Sequence, residues 1–137
     1  MTEDQLRERL AGEPVGRLAT IDPDGSPNVV PFVFALAGDT LYTAVDAKPK
    51  RTQKLQRLAN LERDPRCTVL VDHYDEDWNR LWWVRVRGRG RMANDEAERA
   101  RAIEALKAKY TQYADLDPGE IVIAIDAETW SGWSYSD

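Results

Sequence analysis

The residues with the clearest chemical potential form a cationic turn between a predicted strand and a predicted helix. Residues 47–61 contain five cations and no acid, although the whole chain carries a formal net charge of -5. Three of these cations, Lys48, Lys50 and Arg51, cluster around Pro49. A helix N-terminus adds free N–H groups and the positive end of its dipole to such a cluster. We therefore predict a phosphate clamp at this turn.

The same cations also fit a plainer interpretation. A basic helix face is often only solvated surface, and Leu55, Leu58 and Ala59 already give this helix an ordinary buried stripe. Lys54 and Arg57 fit the solvated face. The cations around Pro49 differ because the backbone at the helix start also offers hydrogen-bond donors.

A second cationic feature is the strand predicted from near Leu81 to Met92. Strand alternation places Trp83 and four arginines, at positions 85, 87, 89 and 91, on one face. Like charges in a row repel one another, so they should face solvent, acids or an anionic ligand. Arg85 is the best ligand candidate because it is nearest the tryptophans. Gly88 and Gly90 predict a bulge or a close backbone approach.

Catalysis by side chains alone is poorly supported. The single histidine, His73, and the absence of a Gly-x-Ser-x-Gly segment give no recognisable triad. The acids at 72, 75, 76 and 77 lack the spacing of an EF-hand or zinc site, so no metal is expected. Five tryptophans suit either a core or the stacking of a flat cofactor. We interpret this combination as a protein that holds a redox cofactor.

The elements that must position these residues are mostly strands. Turns at 22–27 and 37–39 separate predicted strands, and Asn94 is predicted to cap the last helix. Six antiparallel strands with peripheral helices predict a mainly β protein with a closed or split β-barrel, and an open α+β sandwich is the competing architecture. The predicted strands are 15–21, 28–36, 40–45, 67–71, about 81–92 and 120–126. The predicted helices are 3–11, about 51–62 and 95–109.

Composition bounds the class of protein. A chain of 137 residues with 42% hydrophobic residues can form one domain with a core of its own, residues 1–137. One cysteine, no leader-like apolar segment and no membrane-length run predict a cytoplasmic protein outside the membrane. An acidic balance disfavours nucleic-acid binding.

These residues resemble the pyridoxamine 5′-phosphate oxidase-like split β-barrels of the flavin and deazaflavin oxidoreductase superfamily. The resemblance is carried by segments 24–31, 41–43, 48–51 and 84–88. It is strongest to the branch of coenzyme F420-dependent enzymes, through segments 45–52, 77–78 and 81–85 and the tryptophan-containing end.

The resemblance implies roles for individual residues. The strand from Asn28 to Val33 would line the ring and ribityl region, and the next strand would contact the cofactor. The cationic turn would take the phosphate, and two residues would reach the cofactor from the partner subunit of a homodimer. The implied cofactor-binding residues are Asn28, Val30, Pro31, Val33, Tyr42, Thr43, Lys48, Lys50, Arg51, Thr52, Trp83 and Arg85.

The implied function is hydride transfer between coenzyme F420 and a small activated acceptor, such as an enone, quinone or nitro compound. The alternatives are an FMN-dependent reductase or oxidase and a non-catalytic protein that binds a flavin or deazaflavin. Pyridoxamine phosphate oxidase activity is not expected, because the chain is shorter and lacks the C-terminal substrate motif of those enzymes.

Overall fold

The computed structural model describes residues 1–45 and 51–136, and for residues 51–55 it describes the backbone only. Three α-helices surround one antiparallel sheet of seven strands in this part of the chain. The helices are α1 (Glu3–Gly12), α2 (Arg51–Arg63) and α3 (Glu96–Lys109). The strands are β1 (Gly16–Ile21), β2 (Pro27–Phe32), β3 (Ala35–Ala37), β4 (Thr40–Val45), β5 (Arg66–His73), β6 (Trp82–Met92) and β7 (Ile121–Ser134).

The strand order shows why the sheet is a split barrel. The order is β2-β1-β5-β6-β7-β4-β3, so the two outermost strands are consecutive in sequence. Only Val33 and Phe34 separate them, and that link cannot span a flat sheet of seven strands. The sheet must therefore curl until its edges meet, and the chain itself closes the gap between β2 and β3.

This link corrects the prediction of one strand over residues 28–36. The backbone N–H of Phe34 donates to the hydroxyl oxygen of Tyr110 at 3.0 Å. The same hydroxyl lies 2.9 Å from the carbonyl oxygen of Phe34 and 2.8 Å from that of Pro14, either of which can accept its proton. A side chain thus takes the backbone bonds that a continuous ladder would have used.

Two other boundaries also differ from prediction. Strand β7 runs to Ser134 rather than to Asp126, because its second half continues to pair with β6. Asp95, not Asn94, caps α3, since its carboxylate accepts from the N–H of Glu98 at 2.9 Å.

The core lies inside the barrel and beneath α1 and α2. Strand residues such as Leu18, Val69 and Val86 are fully buried there, together with Leu10 of α1 and the stacked rings of Phe32 and Phe34. A smaller cluster lies between β4, β7 and α3. No helix in residues 1–45 and 51–136 is long and apolar enough to cross a membrane.

Candidate functional site

The side of the sheet that faces away from the core defines the candidate site, and we call it the outer face. Register fixes its composition across five neighbouring strands. One row runs Pro31, Arg17, Leu70, Arg85 and Ser131 from β2 to β7. Cross-strand neighbours of such a row have Cβ atoms about 5 Å apart, so each row is a continuous surface.

The outer face exposes large apolar side chains. Val29 is 60% exposed, Leu70 is 37% exposed and Trp133 is 43% exposed, and Pro31 lies beside them. Single exposed apolar residues are ordinary, whereas several on one sheet face are typical of a surface that binds something. Apolar residues on both faces of the predicted strand 28–36 are typical of a strand that is buried on both sides, but within one protomer the outer face of β2 is exposed.

The four arginines of β6 share this face, as alternation predicted, but their surroundings differ. Arg91 donates to both carboxylate oxygens of Glu98, at 2.7 and 2.8 Å, and to Asp126 at 2.7 Å. Arg89 lies 3.5 Å from Glu128. The side chain of Arg87 forms no hydrogen bond or ion pair within the described residues. The positive charge of these four arginines is thus neutralised only at the Arg89–Arg91 end of β6.

Arg85 lies at the other end, against an aromatic ring. Its guanidinium carbon is 5.1 Å from the ring centroid of Trp83, which is a cation–π distance. The Nε atom of Arg85 is enclosed and has no hydrogen-bond partner among the described residues. A buried charged donor without an acceptor is costly, so this atom marks a place where an acceptor from outside the protomer would be favourable.

The glycines of β6 confirm the predicted close approaches. A Cβ at Gly88 would overlap the carbonyl oxygen of Asp126, and one at Gly90 would lie 2.7 Å from a methyl carbon of Leu61. The register shifts between Arg87 and Gly88, so that Glu128 of β7 has no partner in β6. The bulge lets the two strands approach where helix α2 packs on β6.

Helix α2, which carries the predicted clamp at its start, is fixed to the β1–β2 hairpin by a buried amide. Asn60 is fully buried, and its side-chain nitrogen donates to Thr20 at 3.0 Å and to Asp22 at 2.9 Å. Its oxygen accepts from Gln56 at 2.8 Å and from Arg63 at 3.2 Å. All four bonds of the amide are made, so the helix has a fixed direction relative to the barrel.

The predicted site residues fall into several groups. Pro31, Trp83 and Arg85 lie on the outer face, whereas Val30 packs against the core. Val33 belongs to the link between β2 and β3 and is partly exposed. Asn28 lies 3.3 Å from Asp22 beside the anchor of α2.

The two predicted site residues of β4 are both buried. Thr43 is 3% exposed on the inward side of the strand. Tyr42 is 5% exposed beneath α3 and donates its hydroxyl proton to Glu98 at 2.8 Å. Burial and this bond raise the pKa of Tyr42. In this geometry a cofactor would meet the backbone of these residues rather than the Tyr42 hydroxyl.

The cationic turn itself is not part of the described structure. Lys48 and Lys50 lie outside the described residues, and the side chains of Arg51 and Thr52 do as well. The clamp therefore stays a prediction from sequence.

The family model of pyridoxamine 5′-phosphate oxidase matches residues 2–134. The chain belongs to this family. The match spans the barrel and all three helices, so the family is represented along the described sheet and not by one motif alone.

Solved structures support the same fold. A conserved hypothetical protein of Mycobacterium tuberculosis matches with a TM-score of 0.80 and 22% identity, over 98% of this chain and 86% of its own. A FAD-binding protein from Mesorhizobium loti matches with a TM-score of 0.73 and 23% identity, over 96% and 94%. The FAD binding protein from Mycobacterium smegmatis matches with a TM-score of 0.72 and 19% identity, over 97% and 96%.

Sequence reasoning missed two members of the site. Arg17 and Leu70 lie in the same row as Pro31 and Arg85, yet neither stood out as a site residue. The signal in the sequence was the alternation of side chains between the two faces of a strand. Leu70 is an apolar residue between the buried Val69 and Val71 of one strand, so alternation alone places it on the outer face.

Proposed function

We propose that this protein is an oxidoreductase that binds a phosphate-bearing deazaflavin, coenzyme F420, on the outer face and passes hydride to a small activated acceptor. Membership of the pyridoxamine 5′-phosphate oxidase family supports redox chemistry on a split barrel. The observation that carries the site is the enclosed Nε of Arg85, which lacks an acceptor and stands beside Trp83 among exposed apolar residues.

The residues present fit such a cofactor. A flat tricyclic ring needs apolar or aromatic planes, and on the outer face Val29 and Pro31 of β2 and Trp83 of β6 provide them, with β1 and β5 between. Ring carbonyl oxygens or a phosphate need donors, and Arg17 and Arg85 supply them without an ion-pair partner in the described part of the chain. The predicted clamp at Lys48, Lys50, Arg51 and Thr52 would add charge for the phosphate.

The protein's own contribution is to bind, orient and exclude water. When bound in reduced form, the deazaflavin supplies a hydride from ring carbon C5 to an enone, quinone or nitro acceptor, which takes its proton from water. Trp83 would fix the plane of the ring, and Arg85 would hold an oxygen at its edge. No described residue has to act as a nucleophile.

The outer face also supports a homodimer. Exposure of the apolar side chains of Val29, Leu70 and Trp133 on one face is costly in water, and a two-fold contact would cover that face on both protomers at once. In that arrangement Trp83 and Arg85 would reach a cofactor held mainly by the partner. If light scattering finds only monomer at micromolar concentration, Trp83 and Arg85 do not contact a cofactor held by a partner subunit.

The test is a parallel titration of cofactor-free protein with F420 and FMN, followed by quenching of tryptophan fluorescence. We expect F420 to bind, and we expect Lys50→Ala to weaken its binding about tenfold because one charge-assisted contact to phosphate is lost. The matched control is Lys107→Ala, at an exposed position of α3. Equal affinity of Lys50→Ala and wild type would contradict the clamp.

An FMN-dependent enzyme is the second candidate. The fold is shared with two proteins named for binding FAD, and FMN carries the same kind of flavin ring. Selective FMN binding in the titration would favour this candidate. Binding of either cofactor without multiple turnover across enone, quinone and nitro acceptors would instead identify a non-catalytic carrier.

A further inference from the structure

A cleft opens on the outer face, away from Trp83 and toward the bulge. It has a volume of about 430 Å³, within the size range of small-molecule sites. It crosses the neighbouring strands β1, β5, β6 and β7, a width of about 14 Å at ordinary strand spacing. Its polar lining includes Arg66, Arg87, Arg89, Thr68, Thr129 and Glu128.

The centre of this cleft is an arginine between two threonines on neighbouring strands. Register places Arg87 directly opposite Thr68 on one side and Thr129 on the other. Arg87 is exposed and has no ion-pair partner among the described residues. A planar fork of donors flanked by two hydroxyls has the donor set that a phosphate or carboxylate group requires.

The next row adds two further guanidinium groups, each beside a carboxylate. Arg66 and Arg89 are direct cross-strand partners, and like charges in that position oppose folding. Each has one carboxylate: Arg66 binds Asp64 at 2.7 Å, and Arg89 lies 3.5 Å from Glu128. These two carboxylates neutralise Arg66 and Arg89. Arg87 remains without a counter-charge, although the whole chain carries a formal net charge of -5.

We infer that this cleft binds the oxyanion group, phosphate or carboxylate, of a small molecule, with Arg87 as its central ligand. The inference does not depend on the proposed cofactor, because it rests on other residues of the outer face. Arg66 and Arg89 lie within one row of the anion, and their exposed heads can turn toward it. Affinity falls as salt rises, because the groups are open to solvent.

The experiment is calorimetric titration of the full chain with inorganic phosphate and, separately, with citrate. We expect one or both to bind, and Arg87→Gln to weaken that binding about tenfold through loss of a charge-assisted contact. Arg101→Gln makes the same charge change at an exposed position of α3 and should leave affinity unchanged. Preference between phosphate and citrate distinguishes a phosphorylated from a carboxylated ligand.

Amide chemical shifts locate the anion. Phosphate or citrate should shift the backbone N–H signals of Thr68 and Thr129 in wild type and not in Arg87→Gln. No heat from either anion, equal loss in Arg87→Gln and Arg101→Gln, or a changed oligomeric state of Arg87→Gln without loss of binding would overturn the assignment. The F420 and FMN titrations are read separately, so a failure of the cofactor proposal leaves this result interpretable.

Discussion

Lys109, in the last turn of α3, offers a sharp test of the energetics of the β2–β3 link. Its ammonium nitrogen is 3.8 Å from the ring centroid of Phe34 and 5.3 Å from that of Tyr110. The nitrogen is enclosed and has no hydrogen-bond partner among the described residues. Burial lowers the pKa of Lys109 from 10.5 to about 8, against a smaller opposing effect of Glu13.

The perturbation is Lys109→Met, which keeps an unbranched chain and removes the charge. The pKa difference has a ceiling of about 3 kcal/mol, and solvent screening of this half-buried group reduces it to about 1–2 kcal/mol. Because the folded-state pKa lies below the unfolded one, the unfolded chain binds more protons between about pH 8 and 10.5. The free energy of unfolding of the wild-type protein therefore rises with pH through that window.

Urea denaturation at pH 7 and at pH 10.5 measures both sides of the window. Lys109→Met should be about 1–2 kcal/mol more stable than wild type at pH 7, with a smaller difference at pH 10.5, where Lys109 is neutral in the folded state and about half-protonated in the unfolded chain. Lys107→Met, at an exposed position two residues earlier, should show neither effect. If Lys109→Met is equally destabilised at both pH values, packing of the Lys109 side chain dominates and the desolvation argument is refuted.

Four further outcomes follow from named contacts. Gly88→Ala should unfold at a temperature at least several degrees lower, because its Cβ overlaps the backbone of β7 at the bulge. Asn60→Ala should lower the free energy of unfolding measured in urea by about 2–4 kcal/mol. It should also weaken cofactor binding, since Asn60 fixes the direction of α2. Cys67 should resist alkylation at pH 8 by mass spectrometry until the protein is denatured, because burial raises its pKa to about 12. Tyr42→Phe should lower the free energy of unfolding measured in urea by about 1 kcal/mol, because Glu98 loses one of its hydrogen-bond donors.

The hairpins and the faces of β6 could be predicted because they depend on local chemistry. Gly25 and Gly38 adopt φ values of 86° and 62° in turns that their neighbours already marked. Alternation alone assigned Trp83 and the arginines of β6 to one face. Such features need only the next few residues, so a single sequence contains the information.

The split between β2 and β3 could not be predicted in the same way. Residues 28–36 are apolar almost throughout, and nothing within them signals a break. The break depends on the hydroxyl of Tyr110, 76 positions away from Phe34 in the chain. Gly88 predicts a bulge or close approach from its own strand, but the residue left unpaired there, Glu128, depends on how the distant strand β7 passes this glycine. Contacts between distant segments decided both features.

The outer face combines features that folding alone does not favour. The core contacts would be satisfied with polar residues at Val29 and Leu70, whose side chains lie outside it. Folding would also be easier if Arg66 and Arg89 were not opposite each other. Exposed apolar side chains, an enclosed donor on Arg85 and opposed arginines all occur on one face of one sheet. Local violations that share a surface indicate binding, and cofactor and anion titrations test the two ends of that surface independently.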